Sequence, residues 1–254
     1  MAEISGTTIW RWLAEDAIKP WTHRSWIFPR DPDFAAKAGR ALDLYAGEFE
    51  GRKLKRNEFV ISADEKTSIQ ARIRCHRSVA ANSHHPMLVE HEYDRGGAFA
   101  YIAAWDVHRA KLFGHLEPTT GIAPFDSLVE EVMAQEPYRS ARRVFWVVDN
   151  GSSHRGLASV RRMQSAHSNL VAVHLPIHAS WINQIEIYFS ILQRKVLTPA
   201  DAISLDDLGQ RILAFQAVYE AMAAPFEWKF TRADLNRLLA RLAAKSAAGD
   251  ELAA

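Results

Sequence analysis

The chain has 254 residues, and its 31 lysine and arginine residues nearly balance 30 aspartate and glutamate residues, which leaves a formal charge of +1. Hydrophobic residues make up 48% and charged residues 24%, a composition that argues against both a disordered and a membrane-embedded protein. The balanced charge excludes a histone-like protein that binds nucleic acid through bulk positive charge, but local basic patches remain possible.

Three features of the sequence favour a protein that lies in a reducing compartment and does not span a membrane. The single cysteine, Cys75, excludes an internal disulfide and a cysteine-rich zinc site. The N-terminus lacks the basic and apolar segments of a signal peptide. The strongest apolar run, residues 144–148, is too short to cross a bilayer. We therefore predict a cytoplasmic protein.

The first part of the chain is predicted to be helical. Residues 5–16 form a short predicted helix with Ser5 as the N-cap and with Ile9 and Leu13 on a buried stripe. A basic and aromatic stretch interrupted by prolines follows, which predicts an extended linker. Residues 32–46 then carry apolar side chains at helical spacing, which predicts a second helix.

The periodicity changes after a basic turn at residues 51–57. Aromatic and β-branched residues predict a strand over 58–64, and the segments 97–106 and 110–116 predict an antiparallel hairpin. The remaining predicted elements are a helix over 124–135, a strand over 143–149, a helix over 156–167, a strand over 170–175, and helices over 183–197, 205–222 and 231–245. This alternation predicts an α/β fold with a mixed five-stranded sheet flanked by helices.

Three acidic residues lie where predicted elements end or begin. Asp64 closes the first predicted strand, Asp149 closes the most apolar strand, and Glu186 lies at the start of a helix. Ligand-binding groups collect at strand ends in open α/β sheets. Because Mg²⁺ prefers oxygen ligands and two such ions can promote phosphodiester cleavage, the three carboxylates are candidate metal ligands.

Each acidic residue also has a purely structural interpretation. An aspartate at a strand end commonly forms a turn, and Asn183 with Glu186 matches a loose capping box. Glu65 should point to the opposite face of the strand from Asp64, so only one of the two can face the site. Asp106 also ends a predicted strand and is the main competing candidate.

Histidines provide an alternative kind of site. His174 and His178, together with His154 and Asp149, could bind Zn²⁺ in a hydrolase. Pro176 disfavours the helix that would bring His174 and His178 together. We therefore predict that His154 and His178 orient site groups or phosphates instead.

Three sequence blocks together resemble one known family. They are residues 61–70 around Asp64, the block Asp-Asn-x-x-x-His that begins at Asp149, and the block Asn-x-x-Glu that ends at Glu186. Their order and spacing are similar to those of bacterial insertion-sequence transposases related to mariner elements, which are members of the DDE superfamily. The resemblance runs from about Ile4 to Leu235.

The resemblance implies an RNase H-like fold and a DNA transposase. It implies two Mg²⁺ or Mn²⁺ ions held by Asp64, Asp149 and Glu186, with Asp64 bridging both. The implied reaction cleaves phosphodiesters at the ends of the element and joins the freed 3′-hydroxyl to target DNA, usually at a TA dinucleotide. The alternatives are a metal-dependent nuclease of the same fold without strand transfer, and an inactive DNA-binding or dimerising remnant.

The implied partners are double-stranded DNA, as terminal inverted repeats and as target, and a second copy of the chain on that DNA. Polar residues near the carboxylates are predicted to support the site: Asn150, His154, His178 and Asn183. Arginines between residues 139 and 162 predict a phosphate-binding rim around the site. The predicted DNA-binding residues are Arg11, Lys19, Arg24, Arg142, Arg143, Arg155, Arg194 and Lys195.

The predicted organisation has four parts. Residues 1–30 are expected to be the remnant of a helix-turn-helix DNA-binding region with its linker, and 31–56 a connecting helix. Residues 57–245 form the predicted catalytic domain, followed by a frayed tail at 246–254. Since the family normally carries two helix-turn-helix units ahead of this domain, we expect a truncated or split-frame chain that acts at the bacterial nucleoid.

Overall fold

A mixed sheet forms the centre of the fold in the computed structural model, which describes residues 5–15, 29–151, 153–154, 156–199 and 201–252. In chain order the strands are β1 (Glu48–Phe49), β2 (Arg52–Lys53), β3 (Glu58–Ile73), β4 (Asp94–Asp106), β5 (Lys111–Glu117), β6 (Arg143–Val148) and β7 (Leu170–His174). The helices are α1 (Gly6–Glu15), α2 (Phe34–Tyr45), α3 (Ile122–Met133), α4 (Gly156–Ala166), α5 (Ile185–Lys195), α6 (Leu205–Met222) and α7 (Arg232–Leu252).

The five long strands have the order β5-β4-β3-β6-β7. Strand β3 is antiparallel to β4 and parallel to β6, β4 is antiparallel to β5, and β6 is parallel to β7. The predicted mixed five-stranded sheet and its β4–β5 hairpin are therefore confirmed. Strands β1 and β2 form a separate two-stranded sheet, and β2 lies in the segment 51–57 that is predicted to be a basic turn.

Strand β3 is much longer than predicted, and this changes the position of Asp64. The residue lies within β3 instead of at its end, and it pairs with Ala103 of β4. The parallel pairing of β3 with β6 stops at Ser62 and Val147. Because β6 ends one residue later, Asp64 lies just beyond this pairing, near the segment that follows β6.

Apolar side chains cover both faces of the sheet. On one face, α2, α5, α6 and α7 pack against the strands, and the predicted helix over 32–46 is confirmed with its apolar stripe buried. On the other face α3 supplies most of the packing. Strand β6 is buried on both faces, as its continuous apolar run predicts.

Two terminal expectations differ from the structure. In α1, Ser5 caps the helix through a hydrogen bond from the Thr8 amide to Ser5 Oγ, but Ile9 is 47% exposed and does not lie on a buried stripe. Trp10 and Trp12 are also exposed. At the other end, α7 continues to Leu252, so the predicted tail is helical over 246–252. Among the described residues we find no helix of sufficient length and apolarity to span a bilayer.

Glu58, at the start of β3, makes the stability of the fold depend on pH. Burial raises the pKa of its carboxyl, but hydrogen bonds from the Lys55 amide and the Arg143 guanidinium outweigh burial, and the pKa lies below its ordinary value of 4.5. A depressed folded pKa stabilises the protein above the unfolded pKa, and this contribution is lost as the pH falls through the folded pKa.

We therefore expect Glu58→Gln to lower the free energy of unfolding by about 2 kcal/mol at pH 7, since Arg143 loses its buried partner. The difference from the wild type should shrink as the pH falls through the depressed folded pKa of Glu58. Urea unfolding followed by circular dichroism, at pH 7 and at a series of lower pH values, measures the effect. A difference that stays constant across this range would contradict the assigned role of the ion pair.

Candidate active site

The structure gathers Asp64, Asp149 and Glu186 at one end of the parallel strands. Asp64 projects from β3, Asp149 directly follows β6, and Glu186 lies in the first turn of α5. These three elements are far apart in sequence. The parallel pairing of β3 with β6 brings Asp64 close to Asp149. The three carboxylates lie close enough for their charges to interact.

Asp64 shows the strongest effect of this crowding. Its side chain is almost completely buried, and burial together with repulsion from Asp149 and Glu186 raises the pKa of the carboxyl to about 7. A hydrogen bond of 2.8 Å from the Glu65 amide opposes the shift. An acidic side chain that is half protonated near neutral pH is a favourable place for a cation, because a cation relieves the repulsion.

Glu186 has the same kind of environment. Burial raises the pKa of its carboxyl, the nearby Lys66 ammonium lowers it, and Asp149 raises it again, which leaves the pKa above its ordinary value. Lys66 lies two residues beyond Asp64 on β3, and its ammonium is 6.0 Å from the centre of the Phe189 ring. The sequence analysis did not identify this lysine as part of the site.

Asp149 is held by the turn that follows β6. His154 is fully buried, its Nε2 bonds to Asp149 Oδ1, and the Gly151 amide donates to the same oxygen at 2.6 Å. Burial raises the pKa of the Asp149 carboxyl, but these donors outweigh it and hold the pKa below its ordinary value. A Cβ on Gly151 would lie 2.9 Å from the His154 ring, so only glycine fits this turn.

Further residues that the sequence analysis missed hold His154 in place. Ser153 Oγ lies 3.1 Å from His154 Nδ1 and donates to the Glu65 carboxylate. Arg162 donates to the Ser153 carbonyl at 2.6 Å and pairs with Asp126. Glu65 therefore does point away from Asp64, as predicted, and it anchors the turn that carries Asp149.

Asn183 joins the start of α5 to β3. Its Oδ1 accepts from Ser62 Oγ, and its Nδ2 donates to the Ala63 carbonyl at 3.0 Å and to Asp64 Oδ2 at 3.2 Å. The Ile185 amide donates to Ser62 Oγ at 2.9 Å. The capping-box alternative is not observed, because Gln184 is the N-cap and its side chain makes no capping hydrogen bond. Glu186 is thus free of a capping role.

A cavity of about 410 Å³ opens beside Asp149. It is lined by Asn150 and His178, among others, which places both predicted supporting residues next to the candidate site. Asn150 Nδ2 donates to the Leu175 carbonyl at 2.7 Å, and this bond fixes the turn to the end of β7. His178 is exposed and has a φ of 61°, so its loop is held in a left-handed conformation beside the cavity.

Among the residues that the structure describes, the predicted DNA-binding residues do not form one rim around the site. Arg142 and Arg143 lie at the start of β6, and Arg143 bonds to Glu58 at 2.7 Å, so the expectation that these two surround Asp149 is wrong. Arg194 and Lys195 are exposed in the last turn of α5, and Arg11 is exposed on α1. Lys19, Arg24 and Arg155 lie outside the described residues.

The competing candidates have structural roles. Asp106 is buried and accepts hydrogen bonds from Tyr138 Oη at 2.7 Å and from the His108 and Arg109 amides, which explains its position at the β4–β5 turn. His174 Nε2 donates to the His154 carbonyl at 2.6 Å, a contact that ties the end of β7 to the turn carrying Asp149.

The donor chemistry of the site fits Mg²⁺ or Mn²⁺ better than Zn²⁺. The three carboxylates supply hard oxygen ligands, and their mutual repulsion disfavours the site without a cation. In the part of the chain that the structure describes, no three His, Cys, Asp or Glu side chains already converge as a metal site.

Comparisons with known proteins agree with this geometry. Residues 60–209, more than half of the chain, match the family described as DDE superfamily endonuclease. The crystal structure of the Mos1 strand transfer complex has a TM-score of 0.53 and 16% identity, and the alignment covers 94% of this chain and 68% of that chain. The Mos1 mariner paired end complex with Mn has a TM-score of 0.43 and 14% identity, with 85% and 69% covered.

At this identity the likeness to the Mos1 strand transfer complex establishes the fold, which is the predicted RNase H-like fold. No curated protein matches the chain.

Proposed function

The chain belongs to the DDE superfamily endonuclease family, and from this premise we propose that it is a metal-dependent DNA transposase. The observation that carries the proposal is the proximity of Asp64, Asp149 and Glu186, since burial together with repulsion from the other two carboxylates raises the pKa of Asp64 to about 7. The proposed substrates are double-stranded DNA at the element ends and target DNA, with TA as the proposed target dinucleotide.

The proposed roles follow from where each side chain is held. Asp64, Asp149 and Glu186 would together hold two Mg²⁺ or Mn²⁺ ions. Divalent ions in such a site activate a water or 3′-hydroxyl and stabilise the leaving oxygen of a phosphodiester. His154 orients Asp149, and Asn183 orients both Asp64 and the helix that carries Glu186.

Strand transfer is favoured over a nuclease-only function by one comparison. The solved structure with the TM-score of 0.53 is a strand transfer complex, and it shares the fold of this chain. Joining two element ends also requires two catalytic sites, so we propose that two copies of the chain act together on DNA.

The test uses the purified chain and duplexes that cover the genomic DNA on both sides of its coding region. We expect Mg²⁺ or Mn²⁺ to support cleavage at the element ends, and EDTA to abolish it. A pre-cut end with a free 3′-hydroxyl should then join to a TA-containing plasmid. Cleavage without joining would support the nuclease alternative, and cleavage that persists in EDTA would refute the metal-dependent account.

A further inference from the structure

A second concentration of charge lies far from the three carboxylates. A cavity of about 310 Å³ is formed by the β1–β2 hairpin, the turn into β3 and the start of β6. Since β3 and β6 run parallel, this cavity is at their N-terminal ends, whereas Asp149 follows the C-terminal end of β6. Six residues separate Arg143 from Asp149, which corresponds to about 20 Å along a strand.

Basic side chains dominate the lining of this cavity, which we call the hairpin pocket. Five of its eight lining residues are basic, against the two acidic residues Glu50 and Glu58. The basic residues are Arg52, Lys53, Lys55, Arg142 and Arg143. The hairpin pocket therefore carries a net charge of +3.

This excess of positive charge is not neutralised within the described part of the chain. Glu58 is already occupied, because it accepts from the Lys55 amide and pairs with Arg143. The side chains of Arg52, Lys53 and Lys55 are exposed, and no acidic side chain among the described residues pairs with them. The remaining acid, Glu50, cannot offset three unpaired cations.

The hairpin pocket is better suited to phosphates than to bases. Its one aromatic ring, Phe49, is half-buried, packs at 4.6 Å against Phe145 and is contacted by the Arg143 guanidinium at 5.0 Å. No other aromatic side chain among the described residues lines the hairpin pocket, and stacking on aromatic rings is how proteins hold unpaired bases. Exposed cations with little stacking surface are typical of sequence-independent contacts to a phosphate backbone.

We propose that the hairpin pocket binds the phosphate backbone of duplex DNA, without regard to sequence, at a distance from the catalytic carboxylates. This inference rests on the proposed function, because that function identifies the bound polyanion as DNA. A separation of about 20 Å corresponds to about six base pairs, so the contact extends the DNA footprint well past the cleaved bond. Arg142 and Arg143 then contact DNA at this second surface, not at a rim around Asp149.

The test compares two triple variants of equal charge. One is Arg52→Gln/Lys53→Gln/Lys55→Gln in the hairpin pocket, and the control replaces three exposed cations elsewhere, Arg40→Gln/Arg77→Gln/Arg241→Gln. Binding to a long duplex of mixed sequence is measured by fluorescence anisotropy in EDTA over a range of salt concentrations. We expect the pocket variant to lower the slope of log K against log salt by about 2 to 3, and to weaken binding at least about tenfold near 0.1 M salt.

The control variant should keep nearly the wild-type slope. Equal losses in the two triple variants would overturn the inference, because the effect would then reflect net charge alone. Thermal unfolding of both variants verifies that each is folded. Since binding is measured without metal or cleavage, absence of nuclease activity in the wild type would refute the proposed function without affecting this comparison.

A second measurement locates the DNA directly. An iron–EDTA group attached to Lys53→Cys, in a Cys75→Ser background that removes the exposed native thiol, produces cleaving radicals at the hairpin pocket. We expect cutting of the bound duplex well above that from free iron–EDTA, spread along the duplex because the contact does not depend on sequence. Cutting no greater than that from free iron–EDTA would place the duplex elsewhere and contradict the proposal.

Discussion

Replacing Asp149 with Asn is expected to reduce metal-dependent DNA cleavage by a factor of about 10³ or more. The amide cannot supply the negative oxygen that a divalent cation needs, and such ions contribute several kcal/mol of transition-state stabilisation. The hydrogen-bonding turn should survive, because the new Oδ1 still accepts from the Gly151 amide. Cleavage rates on element-end duplexes at saturating Mg²⁺ measure the effect.

Asp149→Asn is also predicted to leave the free energy of unfolding nearly unchanged, so a loss of cleavage can be distinguished from misfolding. Asp149 repels Asp64, so its removal relieves that repulsion, and the pKa of Asp64 should fall from about 7. The free energy of unfolding should therefore remain within about 1 kcal/mol of the wild type. Asp33→Asn is the matched control, since the Asp33 side chain is exposed and lies 3.9 Å from the Lys37 ammonium. Substantial cleavage by Asp149→Asn would refute the assignment.

Replacing Asn183 with Ala is expected to lower both stability and activity. Asn183 is 1% exposed, and its side chain bonds to Ser62, to the Ala63 carbonyl and to Asp64. Its removal leaves buried polar groups without partners, at a cost of about 2–4 kcal/mol in the free energy of unfolding. Because the same bonds set the position of α5, Glu186 should be misplaced, and a shift of about 1 Å can cost about 10²-fold in rate.

The two effects of Asn183→Ala are measured by urea unfolding and by cleavage rates at a temperature where the variant is fully folded. Gln193→Ala is the control, because Gln193 is exposed on the same helix and its side chain donates a hydrogen bond to Thr198 Oγ1. If the folded Asn183 variant cleaved DNA at the wild-type rate, Asn183 would be a purely structural residue. An unchanged unfolding free energy would contradict its bonding role.

The sequence alone predicted most of the strands and helices because the signals for them are local. The apolar run before Asp149 and the helical stripe that buries Ile185, Phe189 and Leu192 are both visible in short windows, and both elements are present in the structure. The end of β3 was not predictable in this way. Its residues beyond Glu65 are largely polar, and they remain in the sheet only because β4 pairs with them.

The supporting contacts of the site could not be predicted from local patterns at all. Ser153 and Glu65 are 88 residues apart in sequence, and Ser62 and Asn183 are 121 apart, yet each pair is joined by a side-chain hydrogen bond. Such contacts depend on the register of the sheet. The exposure of Ile9 has a similar cause, since an amphipathic pattern shows which face of a helix is apolar but not what covers it.

The central claim is that Asp64, Asp149 and Glu186 together hold the catalytic metal, and iron-directed cleavage of the polypeptide tests it most directly. Fe²⁺ substituted for Mg²⁺ generates radicals that cut the chain next to the bound ion. The account predicts cuts near all three carboxylates, weakened together in Asp149→Asn and suppressed by excess Mg²⁺. Cuts confined to other segments, such as the histidine-rich stretch at residues 76–91, would contradict it.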